Sequence, residues 1–183
     1  MLDSDGYAII IDMGLAKFVV GKTYSMVGTP SYIAPEVLLG RGHNKSCDYW
    51  ALGVVLFEML NGGCPFSYEG ATQKDEFELI LNCDYKCPDT FPRDVTDLIQ
   101  KLLVLEPEKR FGCKHMGHLE IKSHQWFNAI NFKRLRKKQI DAPWKPAVKD
   151  SFDASNFGSF NAADVEEPYR ELTAKEQEEF KGF

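Results

Sequence analysis

A short β-prone run, Tyr7 to Ile11, opens at the turn pair Asp5-Gly6 and stops abruptly at Asp12-Met13-Gly14. The pattern predicts a strand that delivers one carboxylate into a loop, and a rigidly held carboxylate oxygen is what a hard divalent cation takes as a ligand. Three hydroxyl side chains, Thr23, Tyr24 and Ser25, follow in a loop; standing alone they are polar loop residues. Glu36, Glu58 and Arg110, taken singly, read as solvated charges. Asp48 precedes an apolar helical run and reads as an N-terminal cap, its carboxylate accepting backbone N–H groups. Cys113, His115, His118 and His124 crowd together enough to raise the question of a metal, but they make no clean four-ligand pattern.

The elements that would carry these residues are mostly helical. From Leu15 to Gly42 the chain is rich in Gly, Thr, Ser and Pro without a sustained period, and connectors of that length are usually functional. Asn44-Lys45-Ser46 leads into a helix in which Trp50, Val54, Val55, Leu56, Phe57 and Leu60 wrap most of the circumference, ending at Asn61-Gly62-Gly63. Apolar on nearly every side, it is expected to be buried. Two further helices are predicted over 72–81 and 94–103, the second with Val95, Leu98, Ile99, Leu102 and Leu103 at helical spacing. After Trp126-Phe127 the composition shifts to a basic stretch (Lys133, Arg134, Arg136, Lys137, Lys138), then to Ser, Asn and Phe, then to an acidic end, which reads as a tail. The basic stretch has the composition of a nuclear signal, but a charge run is usually a solvated face. There is no internal repeat.

With 183 residues, 44% of them hydrophobic, the chain has material for one core and a peripheral tail. Chains of this size bury roughly 70% of their unfolded surface. A net charge of −5 argues against a nucleic-acid binder, whose footprint is a basic excess. Five cysteines, an odd count without CxxC spacing, indicate neither a disulfide framework nor a zinc ribbon and suit a reducing, cytoplasmic setting. No apolar run approaches the roughly 18 residues of a membrane span, and the first residues do not read as a signal peptide. A soluble, unsecreted protein is the expectation.

In order and spacing, Asp12-Met13-Gly14, the stretch Gly28-Thr29-Pro30-Ser31-Tyr32-Ile33-Ala34-Pro35-Glu36, Asp48-Tyr49-Trp50-Ala51-Leu52-Gly53 and Arg110 resemble the activation segment and large lobe of serine/threonine protein kinases. Phe152-Asp153-Ala154-Ser155-Asn156-Phe157 and the terminal Phe180-Lys181-Gly182-Phe183 resemble the tail of AGC kinases, especially the cAMP- and cGMP-dependent branch. The resemblance implies a mainly α fold: a kinase C-terminal lobe with a short β remnant over residues 1–127, and an extended tail over 128–183. It implies transfer of the ATP γ-phosphate to Ser or Thr of basic protein substrates, with ATP and Mg²⁺ as cofactors and a cyclic-nucleotide-binding regulatory subunit or domain as partner.

On that resemblance, Asp12 is the Mg²⁺ ligand, with Met13 where the family usually has Phe. Ser25 takes the activating phosphate and Lys17 pairs with it, since a phosphate adds about two charges and three acceptor oxygens. Thr29 supports the catalytic machinery, and Thr29, Tyr32 and Glu58 meet the substrate, Glu58 receiving an arginine. Ser31 stands where relatives often carry Glu. Glu36 and Arg110 form a buried, positional ion pair, and Asp48 accepts hydrogen bonds from the catalytic loop. Phe157, with Phe160 second to it, contacts the adenine, while Phe180 and Phe183 dock the tail on the small lobe.

The resemblance begins after the catalytic loop, so the base aspartate, the glycine-rich loop, the nucleotide lysine and its glutamate partner are not among these 183 residues. By themselves they are expected not to transfer phosphate, and Asp48, without its loop partners, is expected to be a costly buried carboxylate. The alternative is a non-catalytic kinase lobe that binds basic peptides or a regulator through the Glu58 region.

Overall fold

The computed structural model describes residues 1–150, 153–158, 173 and 177–178. The chain divides into two compact units, one of residues 11–141 and the other of 1–10 with 142–183.

In the larger unit, Pro30–Tyr32 form a 3-10 turn, followed by the helices α1 (Pro35–Leu38), α2 (Ser46–Asn61), α3 (Gln73–Asn82), α4 (Arg93–Leu102), α5 (His118–Lys122) and α6 (Phe132–Arg136). Each start and stop has a local cause. Thr72 accepts the Asp75 N–H and Asp75 returns the bond to the Thr72 N–H, a capping box that opens α3. Gly62, at φ 80°, closes α2 in the left-handed region, with its N–H on the Glu58 carbonyl at 2.8 Å. The long connector before α1 is pinned to the start of α2 by paired 2.8 Å bonds between Thr23 and His43.

The core lies between α2 and α4. Trp50, Val54 and Phe57 of α2 pack with Phe66, Ile80, Val95, Ile99 and Leu103. Trp50 stacks on Phe66 at 5.3 Å, and Tyr85 meets Phe57 and Phe66 edge-on. Gly53 lets the two helices approach: a Cβ there would stand 2.9 Å from both Leu102 Cβ and Leu103 Cδ2. The expectation that α2 is buried all round does not hold. Leu52, Val55, Met59 and Leu60 are exposed, because in the larger unit the cover comes from the α4 side.

In the smaller unit the strand expected over 7–11 reduces to a single antiparallel bridge between Leu2 and Ala8. The turn between them is built by Asp3, whose Oδ1 accepts the Asp5 and Tyr7 N–H groups, and by Gly6 at φ 85°. A Cβ on Gly6 would lie 2.2 Å from the Trp144 carbonyl oxygen, so that position takes only glycine. Among the described residues no third strand joins this pair, and a two-stranded ribbon by itself is marginal, which accounts for so short a pairing. Among the described residues no helix is long and apolar enough to cross a membrane.

Candidate functional site

The segment from Gly28 to Glu36 is anchored at its end. Glu36, on α1, is buried, and the Arg110 guanidinium grips its two oxygens at 2.8 and 3.0 Å across 74 residues of sequence. Arg110 also donates to the carbonyls of Ser46 at 2.8 Å and Val104 at 2.9 Å, and lies over the Trp50 ring at 5.2 Å. The Ser46 hydroxyl adds a 3.2 Å bond to Glu36. Burial by itself raises a carboxyl, but the bonds and charge of Arg110, with Ser46, hold Glu36 below its ordinary value. The guanidinium fork thus ties the end of the segment to the start of α2 and the turn after α4.

In the middle of the segment, the Tyr32 hydroxyl donates to Glu58 Oε2 at 2.6 Å, and Cys64 donates through sulfur to Oε1 at 3.6 Å. The hydrogen bond to Glu58, helped by burial, pushes the Tyr32 phenol far above its usual range, so it remains a donor at any physiological pH. Beside it, Ser31 donates to Glu76 Oε2 at 3.0 Å and Ser67 to Glu76 Oε1 at 2.8 Å. This face therefore carries two half-buried carboxylates, Glu58 and Glu76, each oriented by donors from separate elements.

A cavity of about 290 Å³ gathers Gly28, Thr29, Tyr32 and Asp48 with Val27, Val37 and Ala51. Thr29 is exposed and makes no capping bond with its side chain. Asp48 is also exposed, and it does not cap the helix: α2 begins at Ser46 after Lys45, and Asp48 lies in the first turn with a 3.8 Å contact from the Cys47 sulfur. The buried, costly carboxylate expected at Asp48 is corrected accordingly, since a solvated carboxylate has no desolvation to recover. A larger cavity, about 720 Å³, is lined by Glu36, Ser46, Arg41, Lys45 and Glu106.

Asp12 sits at φ 61°, with its Oδ1 accepting the Gly14 N–H at 3.0 Å, and its carboxylate is exposed. The left-handed turn, rather than a strand, sets its direction. Among the described residues no cluster of three or more His, Cys, Asp or Glu could hold a metal. One solvated carboxylate still fits Mg²⁺, which commonly takes one or two carboxylates and completes its shell with phosphate oxygens and water. Lys17 Nζ donates to Thr23 Oγ1 at 2.9 Å and to Ser25 Oγ at 3.4 Å, so cation and hydroxyl are within one phosphate's reach. In the smaller unit, Phe157 ends a 3-10 turn and is exposed. Phe160, Phe180 and Phe183 lie outside the described residues.

Three contacts had no signal in the sequence: Ser31 with Glu76, Cys64 with Glu58, and His124 with Asp97 at 2.8 Å. The last gives His124 a structural role, its other ring nitrogen accepting the Trp126 N–H. The basic residues 133–138 are solvent-exposed.

These elements carry the pattern of a known family. The protein kinase domain matches residues 1–127, and the chain belongs to the protein kinase family. It is 37% identical over 179 residues to a cAMP-dependent protein kinase type 3 of Saccharomyces cerevisiae, covering 94% of this chain and 44% of the relative. It is 35% identical over 164 residues to a cAMP-dependent protein kinase catalytic subunit 2 of Drosophila melanogaster, covering 90% of this chain and 46% of the relative. A Dictyostelium discoideum cAMP-dependent protein kinase catalytic subunit is 38% identical over 169 residues, covering 92% of this chain and 26% of its own length. The chain thus spans less than half the length of these relatives.

Proposed function

We propose that this chain is the large lobe, over residues 1–127, and the tail, over 128–183, of an ATP- and Mg²⁺-dependent serine/threonine kinase of the cyclic-nucleotide-dependent type. The observation that supports it most is the Glu36–Arg110 pair, which pins the end of Gly28–Glu36, the segment whose Ser31 and Tyr32 hydroxyls meet the Glu76 and Glu58 carboxylates. On this reading Asp12 takes Mg²⁺, which supplies charge neutralisation on the β- and γ-phosphates when bound. Ser25 accepts an activating phosphate that Lys17 holds. Thr29 and Tyr32 border the substrate, Glu58 receives a substrate arginine, and Asp48 accepts hydrogen bonds from a catalytic loop. Phe157 contacts adenine, and Phe180 and Phe183 dock the tail on the small lobe.

The substrates are proteins with basic residues near the target Ser or Thr, and the regulator is a cyclic-nucleotide-binding subunit or domain. The 183 residues by themselves do not transfer phosphate, because phosphoryl transfer needs a base aspartate and a phosphate-covering loop that they do not include. The test fuses this chain behind the small lobe and catalytic loop of the yeast relative and measures phosphorylation of an arginine-bearing serine peptide. Turnover is expected, with Asp12→Ala lowering it by roughly 10²-fold or more, the scale of losing a group that stabilises transition-state charge. A fusion as active with Asp12→Ala as without it would overturn the assignment.

A further inference from the structure

Glu58 is held at both carboxylate oxygens by residues the chain brings together in two ways. Tyr32 arrives from the 3-10 turn 26 residues earlier and bonds Oε2 at 2.6 Å. Cys64 arrives from six residues later and bonds Oε1 at 3.6 Å. The second approach depends on the left-handed stop at Gly62, φ 80°, which turns the chain back along the end of α2.

A glutamate's terminal torsion is broad and roughly two-fold, so one hydrogen bond leaves the carboxylate plane free to swing. Donors on both oxygens fix it. The Cys64 thiol is suited to the task because burial, and then the neighbouring Glu58 charge, push it above its ordinary value and keep the proton on sulfur. Among the described residues no Lys, Arg or His pairs with Glu58. A guanidinium binds a carboxylate through two parallel bonds in one plane, so the setting of that plane governs how well an arginine is gripped.

Resting on the reading of Glu58 as the receptor of a substrate arginine, we infer that Cys64 is a positioning residue that sets the Glu58 carboxylate for a two-pronged grip on that arginine. It acts through Glu58 and touches no reacting atom.

The test uses the 183-residue chain and two fluorescent serine peptides, identical except that one carries arginine and the other its neutral isostere citrulline, with affinities read by anisotropy. The unaltered chain is expected to prefer the arginine peptide, and Glu58→Gln to remove the preference. Cys64→Ala is expected to reduce the preference by about three- to tenfold, the range of one ordinary net hydrogen bond, with the citrulline affinity unchanged. Cys64→Ser, which restores a donor, is expected to recover it. An unchanged preference in Cys64→Ala, an equal loss for both peptides, or no recovery with Cys64→Ser overturns the inference and leaves the Glu58 reading standing. An unaltered chain that does not distinguish the peptides overturns both. Should Cys64→Ala fail to fold, Cys64→Thr against Cys64→Val, alike in shape and different in the donor, carries the same comparison.

Discussion

Arg110→Ala removes the side chain that ties the Gly28–Glu36 segment to the start of α2 and the turn after α4. The side chain is fully buried and donates to Glu36, Ser46 and Val104. Its removal leaves the Glu36 carboxylate buried, with the Ser46 hydroxyl at 3.2 Å as its remaining side-chain donor. Breaking a buried pair from one side costs about 3–5 kcal/mol. Against a total stability of about 5–15 kcal/mol, that is enough to unfold a marginal lobe. Glu36→Ala belongs at the lower end of the same range, because Arg110 keeps its backbone acceptors. The double replacement Glu36→Leu with Arg110→Met removes both charges and leaves neither stranded. It should cost less than the sum of the single changes by about 2 kcal/mol or more.

The assay is urea unfolding followed by circular dichroism at pH 7, with Arg110→Lys as a soluble intermediate that keeps the charge and loses the fork. The pair also predicts an acid limit. Glu36 is held below its ordinary 4.5, so its contribution is complete above about pH 4.5 and is lost as the pH falls through the lower folded value. The difference between the unaltered chain and Glu36→Gln should therefore shrink below pH 4.5. Arg110→Ala within about 1 kcal/mol of the unaltered chain, or additive single changes, would refute the reasoning.

Two further outcomes follow from single contacts. Gly53→Ala should lower the unfolding free energy read from urea titration by about 1–2 kcal/mol, because the roughly 1 kcal/mol gain in helix propensity is outweighed by overpacking against Leu102 and Leu103 at 2.9 Å; a stabilised variant would contradict the close α2–α4 approach. Phosphoserine placed at position 25 should slow chymotryptic cleavage at the exposed Phe18 by about two- to fivefold at low salt, the scale of a surface ion pair. That protection should vanish in Lys17→Met, and its persistence there would remove Lys17 as the phosphate's partner.

Much of the local architecture was legible. The helix predicted over 72–81, the Gly62 stop and the spacing of Val95, Leu98, Ile99 and Leu102 mark α3, α2 and α4 within a residue or so, since turn signals and periodicity act across one or two turns. Glu36 and Arg110 are a different case: as isolated letters they read as surface charges, and only the resemblance to a family joined them. Asp48 was misread for a local reason, as a cap is decided by which residue the backbone turns at, and that residue is Lys45.

The sequence by itself determined where α2, α3 and α4 run, the carboxylate after the first apolar run, and the order of motifs that places the chain among protein kinases. Only the tertiary structure decided which side chains meet: Ser31 with Glu76 across 45 residues, Cys64 with Glu58 around a glycine turn, and the uncovered apolar face of α2. The reason is physical. Turn and helix preferences are encoded within a few neighbouring residues, whereas the partner of a carboxylate, or the cover on an apolar face, is set by the path of the whole chain.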